Sequence, residues 1–201
     1  MAITNYSELK TAVAGWMNRS NIDSEIPDFI RLTEINLSRW LRTGWLEKTA
    51  YTTSETFISL PTDYLQIRDI QLDYDDLRYT LEQVTPKQID QIVPRNTTGI
   101  PAYYAIHAGN IELRPAPEGE SEIRMTYYFK PAELSDSNTT NEYLDNAPDL
   151  MLAGACLEAA TYTKDQGGLV YWASRFDLIK QQLLDADNGY SWSGEVMMRA
   201  G

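Results

Sequence analysis

The sequence predicts an α+β protein: a four-helix bundle built from N- and C-terminal helices, an inserted antiparallel β-rich lobe and an extended C-terminal tail. Three observations carry this. Apolar residues recur at helical spacing over residues 5–45 and again over 145–187. Between them, over 47–133, short runs rich in β-branched and aromatic residues are broken by turn residues. After Gly189 no period is left. Helices at both ends that share one bundle make the middle an insertion. The expected boundaries are 1–46 and 142–187 for the bundle, 47–141 for the lobe and 188–201 for the tail.

The first helix is expected from Tyr6 to Met17, with Asn5 and Glu8 in a capping pattern and Tyr6, Leu9, Val13 and Trp16 as its stripe. The second starts near Ser24, with Pro27 tolerated in its first turn. Its stripe is Ile26, Phe29, Ile30, Thr33, Leu37, Trp40 and Leu41, and Gly44 is the expected stop. In the middle, Tyr51 to Thr53 and Phe57 to Leu60 read as strands either side of a Ser-Glu turn. Ile67 to Leu72 alternates weakly, and the acidic run Asp73 to Asp76 turns the chain into Leu77 to Leu81. Pro86 to Ile92 reads as one short helix. Pro101 to His107 and Asn110 to Arg114 flank an Ala-Gly-Asn turn, and Ile123 to Phe129 is the best strand. Ser135 to Asn141 is a polar linker. The third helix, Pro148 to Lys164, is lined with Ala and Gly, so a neighbour can approach closely. The last has Leu169, Trp172, Phe176, Ile179 and Leu183 at 3-4-3-4 spacing, with Gly167 and Gly168 as the turn before it.

Composition narrows the function. The chain has 201 residues, enough for a sizeable core. Its longest apolar run, Leu150 to Leu157, is far too short for a membrane span. Met-Ala-Ile-Thr-Asn-Tyr at the start has neither a basic nor an apolar export region, so secretion is not expected. Cys156 is the only cysteine, which excludes an internal disulfide. The net charge is −12, and no basic footprint for duplex DNA is visible: residues 1–50 are balanced, and 51–135 and 136–201 carry −6 each. An acidic surface repels DNA, which suits a channel wall that must not bind it.

No catalytic, metal or cofactor constellation emerges. The single histidine, His107, sits in an expected hairpin, and Cys156 lies among Ala and Leu as a buried inert thiol. Asp73, Asp75 and Asp76 lack the glycine and the twelfth-position glutamate of a calcium loop. Paired carboxylates of a glycosidase remain open, as does a sugar platform built from Tyr103, Tyr104, Tyr127, Tyr128 and Phe129. Adjacent tyrosines put one ring on each sheet face, and a protein interface at Tyr103, Tyr104, Tyr127 and Tyr128 is favoured over carbohydrate.

The stretch Ile26 to Arg42 resembles the second-helix pattern of the phage head-to-tail adaptor (connector) family. Leu60 to Ile70, Gly99 to Ile106, Ile111 to Pro117, Met125 to Leu134 and Asp149 to Tyr162 continue the resemblance in order across nearly the whole chain. Such adaptors are similar in architecture to tail tubular protein A-type connectors. The resemblance implies a non-enzymatic virion protein, assembled in the host cytoplasm as a homo-oligomeric ring, usually a dodecamer. The ring would dock under the portal protein, meet a downstream tail or nozzle protein and let DNA pass without specific binding. It also implies a C-terminal segment that grips the portal, here Tyr190, Trp192, Val196, Met197, Met198 and Arg199. Arg31, Arg39 and Arg42 are the candidates for contact between subunits. A carbohydrate-binding tail module is the alternative, and an envelope-polymer hydrolase a weaker one.

Overall fold

The computed structural model describes residues 2–19 and 21–191, and the side chains of 2–19 and 21–187. In chain order it contains α1 (Tyr6–Met17), α2 (Ile26–Trp40), a 3-10 turn (Gly44–Leu46), β1 (Glu47–Thr53), β2 (Phe57–Ser59), β3 (Tyr64–Tyr74), β4 (Leu77–Thr80) and β5 (Glu82–Gln83). There follow α3 (Pro86–Ile92), β6 (Thr98–Gly99), β7 (Tyr103–His107), β8 (Asn110–Arg114), β9 (Ala116–Pro117), β10 (Glu122–Phe129), α4 (Glu142–Asn146), α5 (Pro148–Tyr162) and α6 (Gln166–Ser191). The chain divides into two compact units, Met1–Leu46 with Pro131–Gly201, and Glu47–Lys130.

In the helical unit α5 is the central element, packed against α1, α2, α4 and α6. Its small residues allow this. Leu150, Ala153, Ala155, Cys156, Ala159 and Ala160 are all fully buried, so several helices press on it at once. Each neighbour offers the stripe its spacing predicts: Leu9 and Val13 from α1, Phe29, Ile30 and Leu37 from α2, and Trp172, Phe176 and Ile179 from α6. Trp16 departs from its expected place. It is 59% exposed and makes an edge-to-face contact with Trp172, ring centroids 5.7 Å apart. Asn5 caps α1 as expected, its side chain accepting from the Glu8 N–H at 2.9 Å.

Four helix-boundary expectations are corrected. Gly167 and Gly168 lie in the first turn of α6, and Thr163 to Asp165 makes the reversal, with Lys164 at φ 55. Asp165 closes that turn by accepting from the Gly168 N–H at 3.1 Å. α2 ends at Trp40, and Gly44 begins the following 3-10 turn and not a helix cap. α6 runs through Gly189 to Ser191, so the first residues of the expected tail are helical. A glycine inside a helix costs about 1 kcal/mol, which the rest of a long helix outweighs.

The segment after β10 is the fourth correction. Residues 131–141 belong with the helices and not with the strands. A buried glutamate explains it. Glu34, 2% exposed on α2, accepts from the Leu134 N–H at 3.1 Å and the Asn141 side-chain amide at 2.7 Å. Asn141 also donates to the Ala132 carbonyl at 2.9 Å and caps α4 by accepting from the Leu144 N–H at 3.1 Å. Tyr6 adds a backbone bond to Thr139, 2.8 Å.

The β unit has three layers. One sheet has the order β1-β10-β3-β4, every neighbour antiparallel. The second has the order β2-β8-β7-β5. Their facing sides share one core of Ile67, Ile70, Leu72, Tyr104, Ile111, Leu113, Ile123, Met125, Tyr127 and Phe129. The third layer is α3, which packs on β7 and buries Ile89. Its start is fixed by a capping box between Thr85 and Gln88. Two tight turns fall where the acidic and Gly-bearing runs predict them, with Asp75 and Asp76 at φ 51 and 58 and Ala108 and Gly109 at φ 48 and 80. The Ser-Glu segment between β1 and β2 does not make a hairpin. β1 pairs with β10 and β2 with β8, in different sheets. The weakly alternating run around Ile67 is part of the longest described strand, 11 residues, which stands between β10 and β4 in the sheet.

Candidate interaction surfaces

The residues singled out from the sequence separate by burial. Tyr104 and Tyr127 are 4% and 5% exposed and belong to the core of the β unit, as does Phe129. Burial pushes both tyrosine hydroxyls up to about 12, and for Tyr127 a hydrogen bond to Asp63, 3.0 Å, adds to it. Tyr103 and Tyr128 are half-buried on the opposite faces of their strands. The interface candidates in this unit therefore narrow to Tyr103 and Tyr128, because a residue inside a core cannot touch a partner. The five-ring sugar platform loses three of its rings for the same reason.

Asp63 anchors the end of this core. Burial raises its carboxyl, but the Lys48 ammonium at 2.9 Å and the Tyr127 hydroxyl outweigh burial and hold it below its ordinary value of 3.8. A depressed folded value stabilises the fold above the unfolded value and loses that contribution as pH falls through the folded one. Wild type is therefore expected to lose stability below about pH 4 more steeply than Asp63→Asn, which starts less stable at neutral pH. Urea melts across pH check this, and parallel profiles would remove Asp63 from the acid response.

Arg31, Arg39 and Arg42 do not form one surface. Arg31 and Arg39 are exposed, and Arg31 makes a loose ion pair with Glu133, 3.6 Å, both partners in water. Such pairs contribute little. Arg42 is half-buried and folds back on its own helix end, donating to the Ser38 carbonyl at 3.0 Å and the Leu41 carbonyl at 2.7 Å. It serves the last turn of α2, where free carbonyls attract a cation. The sequence pattern put all three on the polar side of the helix and could not distinguish an end cap from a free arginine.

Trp192, Val196, Met197, Met198 and Arg199 lie outside the described residues, and Tyr190 falls in the last turn of α6 with its side chain outside them. Of the groups considered for chemistry, His107 is exposed at the β7–β8 turn. Cys156 is fully buried, and burial alone pushes its thiol up to about 12, which removes thiolate at neutral pH. Asp73 is held in a forked pair with Arg78 at 2.7 and 3.1 Å. Among the described residues no group of three or more His, Cys, Asp or Glu is placed to hold a metal ion, and no helix is long and apolar enough to cross a membrane.

What the described surface does offer is exposed apolar side chains in both units. On the helical unit Val170 and Leu178 lie on one face of α6, 65% and 47% exposed, with Tyr171 and Tyr162 also open to water. An open cleft of about 430 Å³ is lined by Trp45, Leu183, Ala186 and Asp187. On the β unit Tyr51, Leu77 and Tyr79 stand at the two edges of the first sheet. Sequence periodicity does not find these, because it identifies the residues that make a core and not the leftovers.

The profile of the SU10 adaptor protein family matches residues 4–199. The chain belongs to that family. The match runs through both units, so adaptor membership describes the whole chain and not one part of it. This agrees with the order of resemblances read along the sequence, and it places the chain among phage head-to-tail adaptors, structural parts of the virion. No curated protein matches the chain.

Proposed function

We propose that the chain is the head-to-tail adaptor of a tailed phage, forming a ring of identical subunits under the portal that extends the DNA channel and joins capsid to tail. The single observation that carries this is the family match over residues 4–199. Three physical features support it. The net charge of −12 suits a wall that DNA passes without sticking. Exposed apolar side chains on both units provide contact area for several partners at once. The two-unit build offers one body for the ring and another for a neighbouring component. Twelve copies are the expected number. The portal and a downstream tail or nozzle protein are the expected partners. Residues 188–201, with Trp192, Met197 and Met198, are the proposed portal grip.

The test is electron microscopy and mass measurement of the chain mixed with the portal ring of the same phage. A ring of subunits bound coaxially to the portal is the expected result. The variant ending at Ser191 is expected to fold with unchanged circular dichroism and to lose portal binding at least tenfold. Normal binding by that variant would sink the grip assignment. A chain that stays monomeric and unbound with portal present would sink the adaptor-ring reading itself.

A further inference from the structure

The first sheet of the β unit has two free edges, and these fit each other. Its order is β1-β10-β3-β4 with every neighbour antiparallel, so its two edge strands, β1 and β4, run in opposite directions. Placed side by side from two copies, β4 and β1 would be antiparallel and continue the alternation. The backbone directions agree. Leu81 donates to Ile70 across the sheet, 2.9 Å, which turns Leu77 and Tyr79 toward β3 and points the N–H and C=O of Arg78 and Thr80 outward. Ser54 donates to Ser121, 2.7 Å, which turns Ala50 and Thr52 toward β10 and points those of Thr49, Tyr51 and Thr53 outward. Among the described residues no other backbone group takes up these outward amides. On both edges the outward-pointing residues lie on the sheet face away from the core. Pairing them therefore keeps both faces continuous: Leu77 and Tyr79 would fall beside Ala50 and Thr52, and Arg78 beside the row of Thr49, Tyr51 and Thr53.

β1 carries little of the usual protection, and β4, though only four residues long, carries no proline. β1 is seven residues long with no proline and no register shift against β10, and after Glu47 its only charge is Lys48. The one charge on β4, Arg78, is neutralised by Asp73. Tyr51 and Leu77 are 62% and 59% exposed. Edge strands of this kind are templates for pairing. The second sheet is blunted by short edges, β2 of three residues and β5 of two.

We propose that copies of this chain join edge to edge, β4 of one against β1 of the next, so that the first sheet continues from subunit to subunit. The occupant is a second copy because the two open edges are unlike, antiparallel and matched in face. A contact between unlike patches is heterologous, the kind that builds a ring when the rotation between neighbours closes. Each junction would add about four main-chain hydrogen bonds. The proposal rests on the ring reading above and names the surface that makes the ring.

The experiment compares the assembled and monomeric full-length chain by hydrogen exchange, with assembly followed by mass measurement alone and on the portal ring. The amides of Thr49, Tyr51, Arg78 and Thr80 are expected to slow at least tenfold on assembly. Tyr51→Pro and Thr80→Pro, at amides that donate to no strand of the same copy, are expected to keep the monomer's circular dichroism and lower assembly at least tenfold. Should the prolines disturb the strands, Tyr51→Lys and Leu77→Lys replace them, and the exchange measurement on wild type stands without any variant. Rings whose β1 and β4 amides exchange as in the monomer would overturn the edge pairing and leave the ring reading intact. Slowing on β1 alone would assign that edge to a strand from the portal or tail and overturn the proposal. No assembly under any condition would overturn both.

Discussion

Glu34→Ala is expected to destabilise the helical unit by about 3 kcal/mol. The carboxylate is 2% exposed and takes hydrogen bonds from the Leu134 N–H and the Asn141 amide. Leaving a buried donor unpaired costs about 1–3 kcal/mol, more when its partner was charged. Two donors lose their acceptor together, and one belongs to the residue that caps α4. Glu34→Gln keeps an acceptor at the same distance and is expected to lose less than half as much. Urea melts give the two stabilities, and exchange at Leu134 reports whether residues 131–141 detach. An alanine variant as stable as wild type would mean that water replaces the carboxylate at no cost and that the segment is held by its apolar contacts alone.

Gly154→Ala is expected to cost about 1–2 kcal/mol, although alanine is the better helix former by up to about 1 kcal/mol. The sign is set by distance. A Cβ at position 154 would lie 2.4 Å from Thr33 Cγ2, 3.1 Å from Thr33 Oγ1 and 3.2 Å from Phe176 Cε2. Thr33 cannot step aside cheaply, because its hydroxyl donates to the Phe29 carbonyl at 2.9 Å inside the core. Thr33→Ser removes the methyl and keeps that bond. The pair Thr33→Ser with Gly154→Ala should therefore recover most of the loss beyond Thr33→Ser alone. Additive losses in the double-mutant cycle, or a stabilised Gly154→Ala, would show that α2 and α5 are not locked together at this point.

These two sites also mark where the sequence was legible. The helix stripes could be read because burial on one side imposes a period, and Phe29, Leu37, Trp172 and Phe176 lie where that period puts them. The small face of α5 could be read as a close-approach surface, though not which residue fits against Gly154. Glu34 could not be read at all. A charged residue in a helix pattern looks like solvent, and its partners are 100 and 107 positions away in sequence. The hairpins at Asp75 and Gly109 were legible because left-handed backbone restricts residue choice. The pairing of β1 with β10 was not, since partners so far apart leave no local signal. For the surfaces, two of four tyrosines and one of three arginines proved to serve the fold. Side-chain type identifies a group able to make contacts, and only tertiary structure says whether the fold has already used it.

The pairing of Glu47 with Tyr128 has a consequence for how the chain folds. The β unit begins at Glu47 and ends at Lys130, and its first and last strands are hydrogen-bonded neighbours. Once it has folded, the chain's way in and its way out are held about 5 Å apart. For the helices on either side, that turns a loop of about 80 residues into a short one. Closing the long loop while it was unfolded would cost roughly 4 kcal/mol in chain entropy by the logarithmic law. A β unit that forms first removes that cost from the meeting of α1 and α2 with α5. A lesion in the β strands is therefore expected to slow the joining of the helices.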